Sequence, residues 1–195
     1  MNYPSGVNKI FKPQKVYSNR GMSLEGDINY TNEYYLNNDV AVIYKKPTPI
    51  TIVDVNYPSR KDAVITKAFF KTPSTTDYNG IYKGKYIDFE AKETTSLTSF
   101  PLSNIHNHQI EHLKKVQSHG GIAFIIIRFT KLSLNFLLTY ENLDYFLNNN
   151  EKKSIPLNFI KEKGYQIKEK YNPRIDYLAI IDEIYFKGDL YEKEI

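Results

Sequence analysis

The sequence predicts a three-layer α/β fold around a central sheet, and three observations carry that prediction. Ile122 to Phe129 is an almost unbroken apolar run rich in β-branched residues, the pattern of a strand covered on both faces. Tyr86, Asp88, Glu90 and Lys92 alternate with Ile87, Phe89 and Ala91, the period of a strand with one polar and one apolar face. Ile105, Gln109, His112 or Leu113, and Val116 recur at helical spacing, as do Ile175, Leu178, Ile181 and Tyr185, so helices flank the strands.

In chain order, residues 21–38 read as a helix with Leu24, Ile28 and Tyr35 on one stripe. Short strands follow at 40–46 and 51–56, separated by the sharp break Pro47-Thr48-Pro49. A proline-bounded, basic and aromatic insertion, at about 56–72, ends in Phe69-Phe70-Lys71. Adjacent aromatics on a strand point to opposite faces, so one of this pair is expected in a core or dimer interface. A hairpin with Lys83-Gly84 as its turn comes next, then a helix over 103–119 stopped by Gly120-Gly121. Residues 122–129 and 132–140 are neighbouring strands, and 142–148, 157–163 and 175–186 are helical or mixed.

Composition bounds the possibilities. A chain of 195 residues, 41% hydrophobic and 25% charged, suits one globular domain, here residues 16–195, behind a basic tail at 1–15. The absence of cysteine excludes disulfides and thiolate metal sites and fits a reducing cytoplasm. No apolar leader opens the chain, and its longest apolar run is far too short for a bilayer, so no membrane partner is expected. Net charge is only +4, but Lys9, Lys12, Lys15 and Arg20 stand at the start without an acid. Arg60, Lys61, Lys67 and Lys71 face only Asp62 in the insertion. Two basic segments flanking a carboxylate site suit phosphate-backbone binding.

Chemistry concentrates at Thr75-Thr76-Asp77 and Glu90-Ala91-Lys92. With Lys83-Gly84 as the turn, Tyr82 pairs Lys85, Asp77 falls opposite Glu90, and Thr75 falls opposite Lys92. Cross-strand Cβ atoms lie about 4.5–5.5 Å apart, close enough for two carboxylates to share a divalent cation. Hard oxygens hold Mg²⁺ or Mn²⁺, the cation polarises a phosphate, and a nearby ammonium offsets transition-state charge. That is the acid, acid and lysine set of a metal-dependent phosphodiester nuclease. Asn79-Gly80 is an alternative turn that would instead pair Asp77 with Tyr82. A short E-x-K triplet also occurs on ordinary solvated edge strands.

The matching text is longer than the triplet. Ser18-Asn19-Arg20-Gly21-Met22-Ser23-Leu24-Glu25, Pro73-Ser74-Thr75-Thr76-Asp77-Tyr78-Asn79-Gly80, Tyr86-Ile87-Asp88-Phe89-Glu90-Ala91-Lys92-Glu93-Thr94, Ser99-Phe100-Pro101-Leu102 and His108-Gln109-Ile110-Glu111-His112 occur in that order. Together they resemble the RecU family of Holliday junction resolvases, within the PD-(D/E)xK nuclease superfamily, over most of residues 15–190. The resemblance implies a restriction-endonuclease-like core with a mixed central sheet and a projecting stalk that enters the open centre of a four-way junction. It implies that Thr75, Asp77, Glu90 and Gln109 serve a Mg²⁺ site, with Mn²⁺ as substitute, and that Lys92 stabilises the transition state.

Arg20, Arg60, Lys67, Phe69, Phe70 and Lys71 become candidate DNA contacts, the phenylalanines by stacking on bases. The implied partners are four-way junction DNA, a second copy of the chain, RecA recombinase and the branch-migration machinery, at the nucleoid in the cytoplasm. A non-catalytic modulator of RecA-type strand exchange is the alternative function. Thr76 stands where the superfamily has the proline of its Pro-Asp pair, a variant that the family itself carries. Glu25, where the superfamily often has a helix acid, is given at most a minor role.

Gln109 sits on an apolar stripe and must find hydrogen-bond partners, either a metal-bound group or neighbouring backbone. His108 to His112 also reads H-x-x-E-H, a zinc-protease pattern, but no third ligand accompanies it.

Overall fold

A computed structural model describes residues 23–71 and 75–187. Helix α1 (Leu24–Asn37) opens it, capped by Ser23, whose hydroxyl accepts from the Gly26 N–H, with Glu25 and Asp27 in the first turn. The strands are β1 (Val42–Lys45), β2 (Ile50–Asn56), β3 (Val64–Phe70), β4 (Tyr78–Tyr82), β5 (Lys85–Thr94), β6 (Ser99–Pro101), β7 (Ile122–Phe129), β8 (Leu134–Thr139), β9 (Ser154–Pro156) and β10 (Tyr165–Ile167). Helices α2 (Asn107–Ser118), α3 (Tyr140–Asn149), α4 (Leu157–Lys163) and α5 (Tyr177–Tyr185) complete the chain.

Six strands form the central sheet in the order β1-β4-β5-β7-β8-β10. It is mixed: β5 and β7 run parallel, and the other neighbours are antiparallel. Alternation along the strands divides the core in two. Ile87, Phe89, Phe124 and Ile126 pack with Leu24, Ile28 and Tyr35 of α1 and Leu178 and Ile181 of α5. Ala123, Ile125, Ile127 and Leu138 pack on the other face with Leu113, Leu143, Phe146 and Ile160. Both faces of β7 are therefore covered, and every one of its residues is buried, as its continuous apolar run predicts. This is the three-layer α/β arrangement.

The β4–β5 hairpin turns on Lys83 and Gly84, both at positive φ (47° and 74°), and pairs Tyr82 with Lys85 and Tyr78 with Phe89. The alternative turn at Asn79-Gly80 is not used, because Gly80 lies in mid-strand against β1. A Cβ on Gly80 would meet the Val42 carbonyl oxygen at 2.1 Å, so this glycine serves close packing of two strands.

Two regions depart from the sequence expectation. The strand at 51–56 is not part of the central sheet; β2 pairs with β3, through a register irregularity at Asp54, as a separate two-stranded ribbon. The ribbon thus starts at Ile50, directly beyond the proline break, rather than at about residue 56. Every residue in both its strands is exposed. The short β6, β9 and β10 carry too few residues for a period-2 signal and were not anticipated.

Candidate active site

Strand β5 places Asp88, Glu90 and Lys92 on one face, with Asp88 and Glu90 both 0% exposed. The β4–β5 ladder ends at Tyr78 and Phe89, and the same register continued by one residue sets Asp77 across from Glu90. The Asp77 main chain is held from the other side, where the Lys46 N–H donates to its carbonyl at 2.7 Å. Lys92 Nζ meets Glu90 Oε1 as an ion pair at 2.6 Å. Asp77, Glu90 and Lys92 are thus brought together.

Glu90 is in an unusual electrostatic state. Burial, reinforced by the neighbouring Asp77 carboxyl and opposed by Lys92, pushes its pKa up to about 8. Among the described residues no backbone or hydroxyl donor reaches either of its buried oxygens, and the cation against it is the Lys92 ammonium at Oε1. A buried carboxylate met by a single ammonium is costly and suits a hard divalent cation, which would meet the remaining lone pairs and favour the charged form. The residues fit such an ion. Among the described residues no three His, Cys, Asp or Glu side chains group to hold a metal, so the protein carboxylates there are Asp77 and Glu90. Mg²⁺ accepts this arrangement, because it is commonly bound through one or two carboxylates and keeps several waters.

Asp88, two residues away, is the opposite case. Its Oδ2 accepts from Lys46 Nζ at 2.7 Å and from the Tyr86 hydroxyl at 2.8 Å, and lies 3.1 Å from His112 Nε2. Its Oδ1 accepts from the Thr76 hydroxyl, which in turn accepts from Lys46 Nζ at 2.9 Å. Sequence reasoning put Asp88 on the polar face but gave it no role. The signal was its position, in step with Glu90 on the same strand.

Other candidates are placed less directly. Thr75 lies beyond the ladder, and its hydroxyl donates to the Thr76 carbonyl at 3.4 Å. Gln109 is buried on α2, and its Oε1 accepts from the His106 N–H at 3.0 Å, so neighbouring backbone supplies one of the partners it needs. Among the described residues no hydrogen bond joins Thr75 or Gln109 to Asp77, Glu90 or Lys92. His112 turns to Asp88, while the His108 ring stacks on His106 at 5.4 Å, so the two histidines of the zinc pattern do not converge. Glu25 pairs with Lys45 at 2.5 Å on the exposed surface.

On the ribbon, Arg60, Lys67 and Lys71 are exposed. Phe69 and Phe70 are 59% and 84% exposed, so neither is a core residue of this chain. Lys67 Nζ lies over the Phe69 ring at 5.6 Å. Arg20 and the tail at 1–15 fall outside the described residues. No described helix is long and apolar enough to cross a membrane.

Residues 19–183 match the family model described as RecU, Recombination protein U. A protein of Oceanobacillus iheyensis named Holliday junction resolvase RecU is 54% identical over 196 residues, covering 95% of this chain and all of its own. Proteins of the same name from Bacillus cereus strain G9842 and Geobacillus kaustophilus are 52% and 51% identical, each covering 95% of this chain and 98% of its own. The solved structure of Hjc from Archaeoglobus fulgidus, titled a Holliday junction resolvase, aligns with a TM-score of 0.41 at 9% identity, over 71% of this chain and 94% of that one.

Proposed function

The chain belongs to the RecU family, and from that premise we propose that it is a Holliday junction resolvase, an endonuclease that cuts phosphodiester bonds in two strands of like polarity during recombination and repair. The observation that carries the site assignment is Glu90, fully buried beside Asp77 and ion-paired with Lys92, with no backbone or hydroxyl donor to its oxygens among the described residues.

Asp77 and Glu90 would hold a divalent cation, Mg²⁺ with Mn²⁺ as substitute, while Thr75 and Gln109 would complete the shell through side chain, backbone or water. The cation, when bound, polarises the scissile phosphate and lowers the pKa of a water. Lys92 exchanges its ion pair with Glu90 for the phosphate, where its ammonium offsets charge developing in the transition state. It can reach substrate because, unlike Glu90, it is partly exposed. Burial of Glu90 keeps bulk water from competing for the carboxylate.

Two symmetric cuts need two sites related by a two-fold axis, which a C₂ homodimer supplies. Arg60, Lys67, Lys71, Phe69 and Phe70 on the exposed ribbon, with Arg20, contact the junction. Action at the nucleoid in the cytoplasm, with RecA and branch-migration proteins as further partners, belongs to the same proposal. The presence of Asp77, Glu90 and Lys92 together favours the enzyme over a purely regulatory role in strand exchange. Incubating the pure protein with four-way junction or linear duplex, with and without Mg²⁺, tests the reading. Cleavage confined to junction plus metal supports it, and metal-independent or absent cleavage refutes it.

A further inference from the structure

We infer that Asp88 is a positioning residue that holds Asp77 at metal-binding distance from Glu90, acting through Thr76 and Lys46. The inference rests on the two-carboxylate metal site proposed above.

Asp77 and Glu90 come from different strands, and the ladder that would lock them together stops one residue short, at Tyr78 and Phe89. Among the described residues no backbone hydrogen bond joins Asp77 to β5. Before a cation binds, two neighbouring carboxyls repel once both are ionised, and a loosely held Asp77 would move outward. The Asp88 cluster opposes that movement. Thr76, the residue preceding Asp77, donates its hydroxyl to Asp88 Oδ1. Lys46 binds Asp88 Oδ2 through Nζ at 2.7 Å and the Asp77 carbonyl through its backbone N–H at 2.7 Å. The Asp77 peptide is therefore tied on both sides to a carboxylate on the same strand face as Glu90.

Tyr86 and His112 occupy Asp88 Oδ2 from two further directions, so the anchor is itself immobilised. A buried charge tied by so many donors is a poor device for stability alone, because well-packed apolar residues commonly serve as well. Support of this kind around metal ligands commonly changes metal affinity by roughly 10–100-fold when removed.

Thr76→Val keeps the shape and removes the hydroxyl, and Thr76→Ser keeps the hydroxyl. Each is compared with wild type for the Mg²⁺ concentration at half-maximal junction cleavage, for Mn²⁺ affinity by calorimetry without DNA, and for thermal stability. Thr76→Val should need about ten-fold more Mg²⁺ and bind Mn²⁺ about ten-fold more weakly. Its rate at saturating Mg²⁺ should recover most of the wild-type value, and Thr76→Ser should match wild type throughout. Unchanged Mn²⁺ affinity in Thr76→Val overturns the inference, as does a rate equally reduced at every Mg²⁺ concentration. Lys46→Met replaces Thr76→Val in the same comparison should the latter not fold. If wild type itself neither binds Mn²⁺ nor cuts, the metal-site reading fails instead.

Discussion

Asp88 and Glu90 stand two residues apart on one face of β5, equally inaccessible to water, yet Asp88 is bound by four side chains while the cation against Glu90 is Lys92 alone among the described residues. The difference divides the labour between them. A carboxylate engaged by four side chains has little left to offer a cation and serves as an anchor; one met by a single mobile ammonium beside a second carboxyl is poised to bind.

A pH dependence of stability follows. Glu90 keeps its proton to about 8 in the fold but only to its ordinary 4.5 when unfolded. Between those values the folded state binds more protons, so metal-free stability should fall as pH rises from about 4.5 to about 8 and level off above it. Urea midpoints in EDTA across that range measure this. Glu90→Gln should flatten that slope and raise the midpoint at pH 8; a midpoint that instead drops there would mean the buried charge is well compensated.

Chemistry and binding should separate. Asp77→Ala should reduce cleavage by about 10²–10³-fold or more while junction affinity in EDTA stays close to wild type, since backbone contacts position the DNA independently of the metal. Lys92→Ala should slow single-turnover cleavage without weakening Mn²⁺ binding. Wild-type cutting by Lys92→Ala would reduce this lysine to a partner of Glu90.

Much of this site was legible in the residues. With Lys83-Gly84 as the turn, the alternation from Tyr86 to Lys92 places Asp77 across from Glu90, because turn type sets hairpin register, although Asn79-Gly80 offered a second register. What was not legible depends on long-range contact. Gly80 looked like a turn residue, and only the Val42 carbonyl from another strand explains it. Thr76 looked like a bare departure from a Pro-Asp pair, and only the Asp88 carboxylate gives its hydroxyl a function. The strand at 51–56 had the composition of a sheet strand, and nothing local could reveal that its partner was the insertion rather than the central sheet.

The ribbon allows a cleaner truncation than the sequence suggested. Removing 52–68 and joining the ends cuts both strands at the paired positions Ile52 and Ala68 and removes only exposed residues, so the unfolding temperature of the core should change little. Four-way-junction affinity should fall far more than duplex affinity. The log–log salt slope of junction binding should also shrink by about 0.9 for each duplex phosphate no longer neutralised. A folded truncation with full junction preference would place specificity elsewhere.

The most direct test is strand-resolved mapping of cuts in a four-way junction labelled in turn on each of its arms, comparing wild type with Glu90→Gln in Mg²⁺ and in EDTA. Paired cuts at symmetry-related positions in two strands of like polarity, made by wild type only with Mg²⁺ and not by Glu90→Gln, are the predicted result. Equal cutting by Glu90→Gln, or a junction bound but left intact by wild type in both Mg²⁺ and Mn²⁺, would contradict it.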